Sequence, residues 1–313
     1  MILITGGTGF IGRSLTRQLV DAGYPVRLLL RPSSETPNMP RGIAVDVAVS
    51  SFQDPRGLEA AMVGVDTVFH LVGGEWQGSG TNLLAVDVNL TRAVVDAAVR
   101  SGVDRFFTIS HLGANRSSAY PVLKAKGIVE EYIRQSGLEH TILRAALVFG
   151  PGDGFTTHLA MLFHALPGVF LIPGGGSTQI QPIWIEDLVT SMVWALDDDR
   201  TRNSVLDIGG PEYLTVRDVI TLVMEKTGVQ RALLPVHPSL LRGVTVTLDT
   251  VFSRFPTSVF WIDYFAADRT CALDSTPRQF GLMPSRMNQR LDYLEEANWR
   301  RELWRLLRGK RKK

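Results

Sequence analysis

Ile2-Leu3-Ile4-Thr5-Gly6-Gly7-Thr8-Gly9-Phe10-Ile11-Gly12 is an apolar strand that runs straight into four glycines, and a helix-like stretch, RSLTRQLVDAG at 13–23, follows at once. Glycine at these spacings lets a strand turn tightly, lets backbone N–H groups approach a phosphate, and lets the next helix pack close to its sheet. The helix N-terminus then offers N–H donors and a partial positive charge to an anion. Gly7, Gly9 and Gly12 satisfy GxGxxG, and Gly6, Gly9 and Gly12 satisfy the wider GxxGxxG, with Thr8, Phe10 and Ile11 filling the turn. Either spacing alone is weak. The context adds weight, because Leu15, Leu19 and Val20 continue as an amphipathic helix, Gly23 stops it, and a second apolar run, VRLLL at 26–30, comes next. A dinucleotide pyrophosphate is expected over Gly6–Gly12.

The same rhythm continues through the first half. Strand candidates lie at 2–5, 26–30, 43–47, 67–72, 105–110 and 140–150, with helix candidates at 13–23, 54–64, 89–102 and 124–137, several closed by glycine. Such alternation predicts an α/β fold with a doubly wound parallel sheet over residues 1–150. After Phe149 the rhythm gives way to glycine- and proline-rich loops, PGDGF at 151–155, LPGVFLIPGGGST at 166–178 and GGPEYLT at 209–215. Residues 151–313 are therefore expected to form a smaller C-terminal lobe for substrate or partner, with parts of 180–210 returning to the first domain. The apolar, aromatic stretch 240–265 suits a pocket lid, a core or a subunit contact.

Charge is nearly balanced, 33 Lys and Arg against 31 Asp and Glu, so no nucleic-acid footprint is present. The only basic run is the final RGKRKK. It ends a stretch, 291–313, in which Leu303, Trp304, Leu306 and Leu307 mix with arginines, which suits either a helix on an anionic membrane surface or one docked on its own domain. The single cysteine, Cys271, excludes an internal disulfide and points to a reducing compartment. A strand beginning at Ile2 leaves no room for a leader, and no apolar run reaches the ~20 residues of a spanning helix. The expected location is cytoplasmic, at most on a membrane surface.

About twenty residues past the last glycine, where an NAD-selective protein places a carboxylate on the ribose, stands Arg31. A guanidinium there can hold a 2′-phosphate by charge-assisted bonds, so NADP(H) is favoured over NAD(H), with Arg27 and Arg13 as candidate helpers. Asp46 and Val47, read as the end of the third strand, are candidates for the adenine, and Leu71, Val72 and Gly73, after the fourth, for the ribose and pyrophosphate; strand-end packing or capping explains these segments equally well. After the fifth strand come Ser110, Tyr120 and Lys124. An ammonium one helical turn from a phenol favours the phenolate, and a serine hydroxyl beside them can polarise a carbonyl. No histidine spacing suits a metal, no GxSxG elbow is present, and Glu186 and Asp187 read as helix caps.

TGGTGFIG, HLVGG, DVNLTRAVVDAA, Ser110, Tyr120 with Lys124, and ILRAALVFGPGDGF together resemble the extended and atypical short-chain dehydrogenase/reductase superfamily, whose fold is Rossmann-like. LPGVFLIPGGGSTQIQPIWIEDLV and LDIGGPEYLTVRDVI resemble its group related to the 39 kDa NADH:ubiquinone oxidoreductase subunit, a neighbour of the NAD-dependent epimerase/dehydratase and NmrA-like groups. The resemblance reaches about residue 225. It implies bound NADP(H), Tyr120 as acid/base, Lys124 on the nicotinamide ribose, Ser110 as the carbonyl-polarising hydroxyl, and Asn89 as a supporting helix asparagine. Pro121 disturbs this pattern, because it biases Tyr120 away from helical angles and need not leave the tyrosine stacked over Lys124. Three functions are implied: an oxidoreductase acting on a carbonyl, alcohol or quinone-like apolar substrate; a nucleotide-retaining subunit or assembly protein; and a nucleotide-sugar epimerase or dehydratase, against which Arg31 counts.

Overall fold

The structure, a computed structural model, describes residues 1–33, 37, 39–40, 42–73, 84–165, 168–251, 256–257, 259–295 and 297–308. Six strands, β1 (Ile2–Thr5), β2 (Val26–Leu30), β3 (Asp46–Val49), β4 (Thr67–His70), β5 (Arg105–His111) and β6 (Glu139–Ala145), join the strand Ser204–Ile208 in one sheet. Their order is β3-β2-β1-β4-β5-β6 followed by Ser204–Ile208, and every pairing is parallel. The order reverses between β1 and β4. A crevice at the carboxyl ends of the strands there is where α/β sheets of this kind bind ligands.

Helices cover both faces because successive strand residues point to opposite sides. Leu3, Phe106 and Ile142 pack with α2 (Pro55–Ala61), α3 (Asn89–Arg100) and α4 (Pro121–Gln135) on one face, while Ile4, Phe107 and Leu143 pack with α1 (Phe10–Asp21) and α6 (Ile185–Trp194) on the other. Each fully buried Leu, Ile or Phe contributes ~1.5–3 kcal/mol, so both faces hold firmly. The segment after α6 is tied in as well: the buried Arg105 of β5 donates to the Leu196 carbonyl at 2.8 Å and to Thr201 Oγ1 at 2.6 Å.

A third core gathers α5 (Thr156–Ala165), α7 (Val216–Lys226), α9 (Val259–Tyr264) and α11 (Trp299–Arg308) around Phe149, Phe163, Ile220 and Tyr264. Helix α8 (Pro238–Val251) leaves Leu240 and Val244 exposed, whereas Phe260 and Tyr264 of the same apolar stretch are buried. Helix α10 (Ser275–Phe280) returns to the sheet, where Thr276 Oγ1 donates to the Gly209 carbonyl at 2.7 Å. Helix α11 docks on its own chain through Leu303 and Trp299, whose Nε1 donates to the Leu294 carbonyl, and it leaves Trp304 60% exposed. The tail beyond Arg308 and Gly74 of HLVGG lie outside the described residues. Among those described, no helix is long and apolar enough to cross a membrane.

Candidate functional site

The turn from β1 to α1 is shaped by backbone contacts that exclude side chains. Gly6 has φ 78°, and a Cβ there would stand 2.9 Å from the Leu71 backbone. A Cβ on Gly12 would stand 2.2 Å from the Gly6 carbonyl oxygen. Real Cβ atoms do not approach backbone this closely, so the loop closes against the end of β4 only with glycine. Helix α1 then starts at Phe10, without an acidic residue in its first turn to compete with an anion. The cradle fits a dinucleotide pyrophosphate.

Beside it lies a cavity of about 160 Å³. Phe10, Ile11, Leu71, Val72 and Gly73 form its nucleotide side, and Ile109 and His111 of β5 with Ala145 at the end of β6 form its floor. Phe155, Phe260, Trp261 and Tyr264 close it from the third core. Asp153 fixes Phe155 there by accepting from the backbone N–H groups of Gly150, Phe155 and Thr157 at 2.9, 2.9 and 3.2 Å. Burial raises the Asp153 carboxyl above the usual carboxylate range, opposed by those bonds and one from Thr156.

The lysine in this cavity is Lys126. It is 9% exposed, whereas Lys124, the expected lysine, is on the open face of α4. Pro121 starts the helix, and Tyr120 caps it with extended backbone at φ −89° and ψ 121°. The residue one turn before Lys126 is Val122, buried in the third core. Tyr120 and Lys124 therefore do not meet in the cavity. Ser110 is also turned away: strand alternation sends Ile109 and His111 to the cavity and Ser110 under α4, where its Oγ donates to Glu130 at 2.5 Å. Arg144 grips the same carboxylate, Nε to Oε1 at 3.0 Å and Nη2 to Oε2 at 2.5 Å.

Other expectations shift for reasons of register. β3 begins at Asp46, paired with Arg27, so Asp46 and Val47 lie at the amino edge of the sheet, opposite the nucleotide cradle. Ser50 and Ser51 follow the carboxyl end of that strand instead. Arg27 shares the amino edge and donates to the Ala61 and Val63 carbonyls at 2.9 and 2.8 Å, so it cannot join Arg31, which is exposed just past Leu30. Arg13 donates to the Thr8 carbonyl at 2.9 Å and steadies the glycine turn. Asn89, first residue of α3, is exposed. Asp187, read as a helix cap, accepts instead from the distant Ser285 N–H at 2.6 Å.

Beneath the cavity, His70 is wedged between Thr5 Oγ1 at 2.7 Å from Nδ1 and Thr91 Oγ1 at 3.0 Å from Nε2. Burial, with the charge of Lys126, lowers its pKa to about 3, so it is a neutral strut joining β1, β4 and α3. Sequence reasoning passed over Lys126, His111 and Tyr264. The available signal for Lys126 was its place on the apolar stripe Val122, Lys126, Val129, Ile133; Tyr264 gave none, since only tertiary packing brings α9 to the cradle.

Residues 6–157 match the family model described as NAD(P)H-binding. The chain is 29% identical over 229 residues to the mitochondrial NADH dehydrogenase [ubiquinone] 1 alpha subcomplex subunit 9 of Arabidopsis thaliana, covering 71% of this chain and 56% of that protein. It is also 29% identical over 233 residues to the NAD(P)H azoreductase of Xenophilus azovorans, covering 73% of this chain and 74% of the relative. The NADPH-dependent quinone oxidoreductase QOR2 from Escherichia coli, solved with NADPH, shares the fold with a TM-score of 0.75 at 17% identity, over 94% of this chain and 99% of that one. The match spans less than two thirds of the plant subunit's length. Residues 6–157 thus form an NAD(P)-binding domain, and the chain is a homologue of the complex I 39 kDa-like subunits and of atypical short-chain dehydrogenase/reductase proteins.

Proposed function

We propose that the protein is an NADP(H)-dependent oxidoreductase acting on a carbonyl, alcohol or quinone-like group of an apolar molecule. The observation that carries this reading is that Phe10 and Ile11 of the glycine turn line one cavity with Lys126, and its remaining walls are almost wholly apolar. When bound, the nicotinamide supplies a hydride. Gly6–Gly12 and the start of α1 hold the pyrophosphate, Lys126 donates to the nicotinamide ribose hydroxyls, and Phe155, Phe260 and Trp261 exclude water and take the apolar body of the substrate. Arg31, exposed past β2, holds a 2′-phosphate, which is the basis for preferring NADP(H). The similarity to an azoreductase named for NAD(P)H supports the reaction class.

Calorimetry with NADPH and NADH, followed by NADPH oxidation with a panel of quinones and aromatic carbonyls, tests the reading. NADPH is expected to bind roughly tenfold more tightly than NADH, with Arg31→Glu removing the difference. Lys126→Met should lose most turnover and Lys124→Met little. If no acceptor oxidises NADPH and the purified protein retains its nucleotide for hours, the second reading replaces the first: a nucleotide-retaining subunit or assembly protein. Val122 in place of a phenol one turn from Lys126 favours that reading, and exposed Trp304 with the arginines of α11 is the surface a partner or membrane would use.

A further inference from the structure

Reducing a carbonyl takes a proton as well as a hydride, and helix α4 brings no acid to the cavity one turn before Lys126. Val122 occupies that position and is buried in the third core. Among the described residues lining the cavity, only His111, Lys126 and Tyr264 carry ionisable groups. The oxidoreductase reading assigns Lys126 to the ribose. Tyr264 comes from the opposite wall, at the end of α9, more than a hundred residues further along the chain.

We propose that Tyr264 is the proton donor to the substrate oxygen, filling from the C-terminal part of the chain the place left by Val122; the inference rests on the oxidoreductase reading above. The geometry holds the phenol in place. Tyr264 is 2% exposed, and its ring is fixed edge-on by Trp261 at 5.8 Å and by Phe265 at 5.6 Å. Two cations stand near it. Lys126 shares the cavity, and the Arg269 guanidinium lies 5.7 Å from the Tyr264 ring while its Nε donates to the Tyr264 carbonyl at 3.2 Å. His111, half-buried at the end of β5, stands edge-on to the same ring at 5.9 Å and gives a path for the proton's return.

The step balances. The substrate's carbonyl carbon gains a hydride, its oxygen gains the Tyr264 proton as the phenol O–H bond breaks, and the carbonyl is reduced by two electrons to an alcohol at the expense of the reduced nicotinamide. The phenolate recovers a proton from water by way of His111. A quinone takes the same two electrons and the Tyr264 proton on one oxygen, while the hydrogen delivered as hydride ends on the other oxygen as the ring becomes aromatic.

The full chain carrying Tyr264→Phe decides the matter, because phenylalanine keeps the ring packing and removes only the hydroxyl. Turnover is expected to fall about a hundredfold, with NADPH affinity unchanged. In calorimetry, binding of phenanthrenequinone to the protein loaded with NADP⁺ should weaken roughly fivefold or more, since one hydrogen bond to the carbonyl is lost. If the variant keeps wild-type turnover and quinone affinity, the donor role falls while the oxidoreductase reading stands. If the wild type itself reduces no carbonyl or quinone, both fall together.

Discussion

The hydroxyl of Ser110 spends its hydrogen bond on Glu130, a carboxylate 4% exposed that also takes bonds from Arg144. Bonds to a buried charge are among the stronger ones in a protein, so Ser110→Ala is expected to cost about 2 kcal/mol of stability. NADPH oxidation per folded molecule should stay within about twofold, as expected of a residue facing away from the site. Denaturant unfolding alongside steady-state assays separates the two effects, and a large loss of turnover at unchanged stability would return Ser110 to the chemistry. The glycine cradle was legible because glycine at Gly6 and Gly12 answers a backbone demand that no other residue meets. Ser110, Tyr120 and Lys124 were misplaced because spacing says how far apart residues are along the chain and nothing about which face of the strand or helix they take.

At the scale of elements, α4 decides which lysine enters the cavity. With Pro121 at its first turn, its buried positions are Val122, Leu123, Ala125, Lys126, Gly127, Val129, Glu130 and Ile133, so both Lys126 and Glu130 are turned inward while Lys124 is exposed. Gly127 sets how close the helix comes: a Cβ there would stand 2.3 Å from backbone atoms of Asn115 and Arg116. Gly127→Ala is therefore expected to push α4 off this loop, at ~1–3 kcal/mol in stability and with weakened nucleotide binding as Lys126 is displaced. Thermal unfolding with and without NADPH reads both effects, and an unchanged nucleotide affinity would mean that the helix accommodates the methyl without moving Lys126. Helix stripes of this kind are readable in a sequence once the helix start is known. The third strand was harder, because β3 lies at the sheet edge with Asp46, Val47 and Val49 exposed, and its apolar alternation marks no buried face from which to place its ends.

For the whole molecule, two histidines held neutral, His70 buried and His158 half-buried, tie stability to pH. Burial holds His70 at a pKa of about 3 and His158 at about 4, against ~6.5 in an unfolded chain. Above pH ~6.5 both states leave them neutral and their contribution is whole. As pH falls below that value only the unfolded chain takes up the protons, so each histidine removes ~1.4 kcal/mol per pH unit until its folded pKa is reached. Melting temperatures measured from pH 7 down to pH 4.5 should fall steeply, and His70→Asn, itself less stable at pH 7, should flatten the slope. An unchanged slope in that variant would mean that His70 takes a proton in the folded protein.

The path of the chain between the sheet and the third core carries a consequence for anyone who would re-engineer its specificity. Helix α6, the strand Ser204–Ile208 and α10 all belong to the sheet, although each follows residues that close the cavity. Exchanging everything after residue 150 for a relative's sequence would also replace the strand paired with β6 and the partners of Arg105 at Leu196 and Thr201 with ones not fitted to the host sheet. Chimeras that respect the architecture transplant short segments, 151–165 and 259–265, and leave the woven strands between them to the host.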